Sequence, residues 1–149
     1  MKHTKSRNGF TLIELIIVMV ILGIMAAVAV PRYLDSISNA EESAEDAVIS
    51  AIRSGLAQYA NNSLYNSGRA EWPNNPFDAL SEKPAGYSTE GGRADVDGEW
   101  TFYFEGGSYK ISHQRADNSR FEWIYERGNQ GGGDDAAIGT LGERVKVSL

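Results

Sequence analysis

Residues 15–30 form an unbroken apolar run, counting Gly23, whereas nearly everything after Pro31 mixes apolar with polar positions. Taken from Phe10 to Val30 the apolar segment has 21 residues, roughly 32 Å as a helix, enough for a hydrocarbon core of about 30 Å. Beyond Pro31 the apolar residues Tyr33, Leu34, Ile37, Ala40, Ala44, Ala47, Val48, Ala51, Ile52, Leu56 and Tyr59 recur at steps of three and four. Asp35, Glu41, Glu42, Glu45, Asp46 and Arg53 fall on the opposite face, the pattern of an amphipathic helix with a solvated side. The pattern ends at Asn61-Asn62-Ser63, which predicts one helix from about Phe10 to about Ala60, on the order of 75 Å long. Its first half is apolar and its second half is striped.

After that helix the periodicity changes. Residues 63–98 are rich in Asn, Pro, Gly and Ser, and Trp72-Pro73-Asn74-Asn75-Pro76-Phe77 and Lys83-Pro84-Ala85-Gly86-Tyr87 read as turns and loop, with a short helical turn over 78–81. Trp72, Phe77 and Tyr87 either peg this loop onto the core or stand exposed for subunit contacts. Three strand candidates follow, 99–105, 108–114 and 120–127, each alternating aromatic or β-branched with polar residues. Gly106-Gly107 suits a tight hairpin turn, and Ala116-Asp117-Asn118-Ser119 a polar one. An α+β fold is expected: a long helical spine packed under a small antiparallel meander.

Charge sharpens this picture. Lys2, Lys5 and Arg7 precede the apolar run with no acid among them, leaving 11 Lys and Arg against 20 Asp and Glu beyond Gly9. Basic residues before the span and acids after it keep the N-terminus cytoplasmic and place the bulk of the chain outside the cytoplasm. So acidic a domain repels a phosphate backbone, and no nucleic-acid partner is expected. With no Cys, thiol catalysis, disulfides and thiolate metal sites are excluded.

An ordinary secretory signal peptide is a competing reading of the N-terminus, with cleavage near Ala27-Val28-Ala29 and release of a secreted binding domain. Against it stand an apolar run longer than the usual roughly 7–15 residues, and Glu14, a carboxylate at the start of that run that a signal peptide does not need. A charged group at mid-membrane costs about 2.5–3.5 kcal/mol, so Glu14 calls for a partner. Snorkelling to the interface, or pairing with its own amine one turn away, are alternatives for it.

Gly9-Phe10-Thr11-Leu12-Ile13-Glu14, followed by the apolar run and Pro31, resembles the class III signal of type IV pilins and type II secretion pseudopilins. The resemblance implies that a membrane prepilin peptidase cuts between Gly9 and Phe10, that the new amine of Phe10 is methylated, and that Glu14 partners the Phe10 amine of a neighbouring subunit. It divides the chain into a leader (1–9), a hydrophobic transmembrane and filament-core helix (10–31), the amphipathic half of the spine (32–62), a connecting loop (63–98), a β-meander (99–127) and a Gly-rich C-terminal loop and tail (128–149). Thr11, Gly23 and Pro31 join Glu14 as assembly residues. Gly23 and Ala27 make a small-xxx-small pair permitting close helix approach, and Pro31 favours a kink. A plain membrane helix carries Gly and Pro just as readily.

The implied function is structural: a subunit polymerising into a type IV pilus-like helical filament, held in the bacterial inner membrane before assembly and found at the cell surface afterwards. The implied partners are copies of itself, the prepilin peptidase, an inner-membrane platform driven by an ATPase, and an outer-membrane secretin. A pseudopilin of a periplasmic secretion machine and a minor pilin that primes the filament are the nearest alternatives. Adhesion, motility and protein secretion are roles such filaments serve.

Many pilins close the C-terminal region with a disulfide, which this chain lacks. Calcium is one substitute, since Asp95, Asp97, Asp134 and Asp135 lie beside Gly and hard cations favour such carboxylates. Acidic Gly-rich turns are also ordinary solvated loops, and no cofactor is otherwise expected. His113, the one His after the leader, reads as a surface residue of a strand. No G-x-S-x-G, phosphate loop or H-E-x-x-H occurs, and the chain is not expected to be an enzyme. A membrane-anchored enzyme using Asp95 or Asp97, and an electron-conducting chain of aromatics, are the remaining alternatives.

Overall fold

A computed structural model describes residues 9–127 and 139–147. The leader positions before Gly9, most of the C-terminal Gly-rich loop and the calcium candidates Asp134 and Asp135 lie outside the described residues. The elements run α1 (Leu12–Ser67), a 3-10 turn (Pro76–Ala79), β1 (Trp100–Glu105), β2 (Ser108–Gln114), β3 (Arg120–Glu126), β4 (Thr140–Leu141) and β5 (Val145–Val147). The chain divides into two units, Met1–Ser43 and Ala44–Leu149, and α1 contributes to both.

In the first unit α1 passes through Pro31 without interruption. It contains a stretch long and apolar enough to cross a membrane by length and composition, none of it buried within the chain. In the second unit α1 runs to Ser67, beyond the Asn61-Asn62-Ser63 signal. Asn61 and Asn62 are exposed and Ser63 half-buried, and their polarity does not oppose a helix that tertiary packing at Leu56 and Ala60 has already fixed.

The spine and the meander are both present, and the architecture is the α+β, pilin-like one expected. β1, β2 and β3 pair antiparallel in order, with Trp100 opposite His113 and His113 opposite Phe121. Gly106 and Gly107, with φ of 62° and 85°, close the first hairpin, the conformation a two-residue turn of this twist demands. β4 and β5, which the polar sequence after Arg127 did not signal, both pair with the far side of β3.

The core lies between one stripe of α1 and one sheet face. Ile49, Ile52 and Leu56 pack with Phe77, Trp100, Ile111, Trp123, Tyr125 and Leu141, each large apolar side chain contributing about 1.5–3 kcal/mol on burial. The stripe is narrower than the spacing alone implies: Ala44, Ala47, Ala51 and Tyr59 stay exposed, because the sheet covers only the line through Glu45, Ile49, Ile52, Leu56 and Ala60. At Gly55 the 3-10 turn comes so close that an added Cβ would stand 2.5 Å from the Ala79 carbonyl oxygen. Phe77 is fully buried, and Trp72 and Tyr87 pack against the core, so these aromatics peg the loop down. The opposite face of the sheet is covered in part by the loop at Arg93 and Ala94, whose Ala94 amide donates to Ser112 Oγ at 3.3 Å.

Candidate functional site

Gly9, Phe10 and Thr11 precede the first helical residue, and all three are exposed. What stops the helix there is a capping box. The Thr11 amide and hydroxyl both donate to Glu14 Oε2 at 2.8 Å, and the Glu14 amide donates back to Thr11 Oγ1 at 3.3 Å. A Thr at the cap and a Glu three residues on satisfy two otherwise orphaned amides reciprocally. The Thr-x-x-Glu spacing of such a box is present in the sequence at Thr11 and Glu14. The bond between Gly9 and Phe10 therefore lies in non-helical backbone.

From Leu12 onward the first unit presents apolar side chains on every side. Phe10 is 89% exposed and Leu12 76%, and Ile13, Leu15, Met19, Leu22, Met25 and Val30 are all exposed. So large an apolar surface far exceeds what a monomeric soluble domain leaves open. Gly23 sits on this surface with nothing within 4 Å of where a Cβ would be, and Pro31 is likewise exposed. Thr11 and Glu14 are brought together, while Gly23 and Pro31 stand apart from them along the helix.

The second unit holds a buried charge cluster around Glu45, a residue that the helical periodicity puts on the solvated face. Glu45 has no exposed surface. Its Oε1 accepts from Arg115 Nε at 2.7 Å and meets His113 Nδ1 at 2.9 Å, while Oε2 accepts from Arg115 Nη2 at 2.6 Å and Arg144 Nη1 at 3.1 Å. Burial alone would raise the Glu45 carboxyl, but the bonds and charges of Arg115 and then His113 outweigh it and hold it down to about 2. A carboxylate only accepts, so the proton on the His113 ring faces it from Nδ1. His113 is buried, not on the surface as expected, because its ring stacks on Trp100 at 4.2 Å while that nitrogen reaches Glu45. The Arg115 guanidinium lies 4.0 Å over the Phe121 ring, a favourable place for a buried cation.

On the other sheet face Glu122, also buried, accepts from the Tyr103 hydroxyl at 2.5 Å and pairs with Lys110 at 3.3 Å and Arg93 at 3.4 Å. Burial, then the bond to Glu122, push the Tyr103 hydroxyl above its ordinary range and keep it a donor. Both carboxylates are occupied as braces between elements. Among the described residues no group of three or more His, Asp or Glu side chains could hold a metal ion. Asp95 and Asp97 are exposed, and the neighbouring Glu99 carboxylate is taken by the Asp95 and Val96 amides at 2.9 and 3.3 Å. Asp95 and Asp97 thus stand in solvent beside a carboxylate already engaged by the backbone.

Comparison with known proteins covers part of the chain. Residues 4–30 match the family model described as the prokaryotic N-terminal methylation motif. The chain is 53% identical over 50 residues to the type IV narrow pilus major component PilA5 of Thermus thermophilus, covering 34% of this chain and 43% of that protein. It is 39% identical over 78 residues to a type IV major pilin protein PilE1 of Neisseria gonorrhoeae, covering 52% and 44%. It is 36% identical over 83 residues to the type II secretion system core protein G of Pseudomonas aeruginosa, covering 55% of each. The chain thus spans about half the length, or less, of the curated relatives it matches. No solved structure matches it.

Proposed function

We propose that this chain, type IV pilin-like by its N-terminal motif and its fold, is a structural subunit that polymerises into a type IV pilus-like helical filament. The leader, residues 1–9, is removed by a prepilin peptidase between Gly9 and Phe10, and the Phe10 amine is methylated. The observation that carries the reading is the uncovered apolar half of α1, exposed from Phe10 to Val30. Lipid covers it in the precursor, with the N-terminus inside and the second unit outside the inner membrane. Once the subunit leaves the bilayer, neighbouring copies replace the lipid, since water would oppose exposure of so much apolar surface.

Glu14 then has two tasks. Oε2 closes the capping box with Thr11, and the carboxylate, with about four lone-pair sites, accepts in addition from the Phe10 amine of a neighbouring copy. Gly23, with open space around it, and Pro31 shape the packed helix core. The inner-membrane platform, its ATPase and the secretin supply the machinery, and cell adhesion or motility are outputs of such a filament. The similarity over 83 residues to a secretion core protein, beside the 78 residues shared with the pilin PilE1, supports a pseudopilin of a secretion machine as the second reading. A minor pilin priming the filament uses the same machinery.

Glu14→Ala and Glu14→Gln together test the assembly role. Gln keeps a capping side chain at the third helical position and removes the charge, whereas Ala removes both. Both variants should be cleaved yet give far fewer sheared filaments than the wild type. Wild-type filament yield from Glu14→Gln would remove the charge from the account, and normal yield from Glu14→Ala would remove Glu14 altogether.

A further inference from the structure

The C-terminal residues 139–147 are joined to the second unit by little regular structure. β4 has two residues and β5 three, both laid along β3, with one further backbone bond from the Gly142 amide to the Ile124 carbonyl at 2.8 Å. Leu141 supplies an apolar anchor, 8% exposed. Beyond Leu141, which joins the core beside Ile49, Ile52 and Leu56, what ties this segment to α1 is polar. Arg144 reaches Glu45 Oε2 at 3.1 Å and Asp46 Oδ1 at 3.8 Å. From the helix side, Arg53 Nη2 donates to the Leu141 and Gly142 carbonyls at 3.4 and 3.3 Å.

The balance of these contacts differs from that of the rest of the fold. α1 holds β1–β3 through a packed apolar core, and β1–β3 hold one another through ladders of six or seven residues. The segment 139–147 has short ladders and one buried apolar side chain. Regions with few buried apolar contacts open on their own, below the free energy of global unfolding. Glu45 is fully buried and already held by Arg115, so it is a fixed, pre-oriented acceptor to which Arg144 adds.

We infer that residues 139–147 form a strap that opens as a unit of its own, latched onto α1 by the Glu45–Arg144 ion pair and the Arg53 bonds to its carbonyls. The latch does in this Cys-free chain what a covalent cross-link would do, and reversibly. Opening it bares the outer edge of β3 from Arg120 to Glu126 and uncovers one side of Trp123 and Tyr125. An uncovered strand edge is a surface on which another strand can pair. The inference does not depend on the filament reading.

Hydrogen exchange read by mass spectrometry on the full chain in detergent micelles tests it. In the wild type, peptides covering 139–147 should exchange faster than those of β1 and β2, with weaker dependence on added denaturant. In Arg144→Met, which keeps an aliphatic stem beside Phe121 and removes the charge, exchange of 139–147 should rise roughly tenfold while β1 and β2 stay within about twofold. Arg53→Met should act on the same peptides. Unchanged exchange of 139–147 in both variants would overturn the latch. Equal acceleration across the whole sheet, or wild-type exchange of 139–147 as slow and as denaturant-sensitive as β1 and β2, would overturn the separate unit.

Discussion

Glu45→Gln is the substitution whose effect follows most directly from the geometry. The carboxylate is fully buried and holds Arg115, Arg144 and His113 at 2.6–3.1 Å. The amide keeps the volume but leaves two guanidinium groups facing a neutral acceptor, and its NH₂ must sit against other donors. With the carboxyl held at about 2 from an ordinary 4.5, the ionised form gains about 3 kcal/mol on folding. Removing one partner of a buried ion pair costs about 3–5 kcal/mol by a different route, so the two estimates agree on scale. The sign follows from linkage: a carboxyl lowered by folding contributes stability that is complete above its unfolded value near 4.5, and loses it as pH falls toward 2. Urea unfolding of the full chain in detergent micelles, read by the fluorescence of core residues Trp100 and Trp123, should therefore show Glu45→Gln less stable by about 3 kcal/mol at pH 7. That gap should close between about pH 5 and pH 2, while effects of other carboxyls cancel between the two proteins. Equal stability at pH 7, or a gap of the same size at pH 2, would refute the reasoning.

Two packing predictions follow from the same unit. Ile52→Ala, at a residue with no exposed surface, should cost about 3–4 kcal/mol in the same unfolding assay, toward the upper part of the large-to-small range; a loss below about 1 kcal/mol would mean that the stripe is misplaced. Gly55→Ala puts a Cβ 2.5 Å from the Ala79 carbonyl oxygen and should destabilise by about 1–3 kcal/mol despite a gain of about 1 kcal/mol in helix propensity. A more stable Gly55→Ala would contradict the close approach of the 3-10 turn to the helix.

Which features were readable in the sequence depended on whether they were local. The hexapeptide from Gly9 to Glu14, the apolar run and the Gly106-Gly107 turn are short-range signals, and β2 occupies the residues expected of it, Ser108–Gln114, although its last four residues are all buried rather than alternating. Glu45 reads as solvated because Glu41, Glu42 and Asp46 flank it, and a run of acids ordinarily means a wet face. The contrary signal was present: Glu45 stands four residues before Ile49 and seven before Ile52, on the very line that the sheet covers. Nothing local shows that Arg115 and Arg144, 70 and 99 residues away, arrive there to compensate it. The burial of His113 is hidden for the same reason, since its partners Trp100 and Glu45 come from two other elements. β4 and β5 are too short to carry a period and take their shape from the edge of β3.

The role of Glu14 and the filament both depend on where the mature chain begins, because each requires a free Phe10 amine. Mass spectrometry of the N-terminal peptide from protein sheared off the cell surface locates that end and any methyl group together. The account predicts an N-methylated Phe10 in sheared filaments. A mature end near Val30, in protein recovered from the soluble medium, would contradict it and leave an ordinary exported domain.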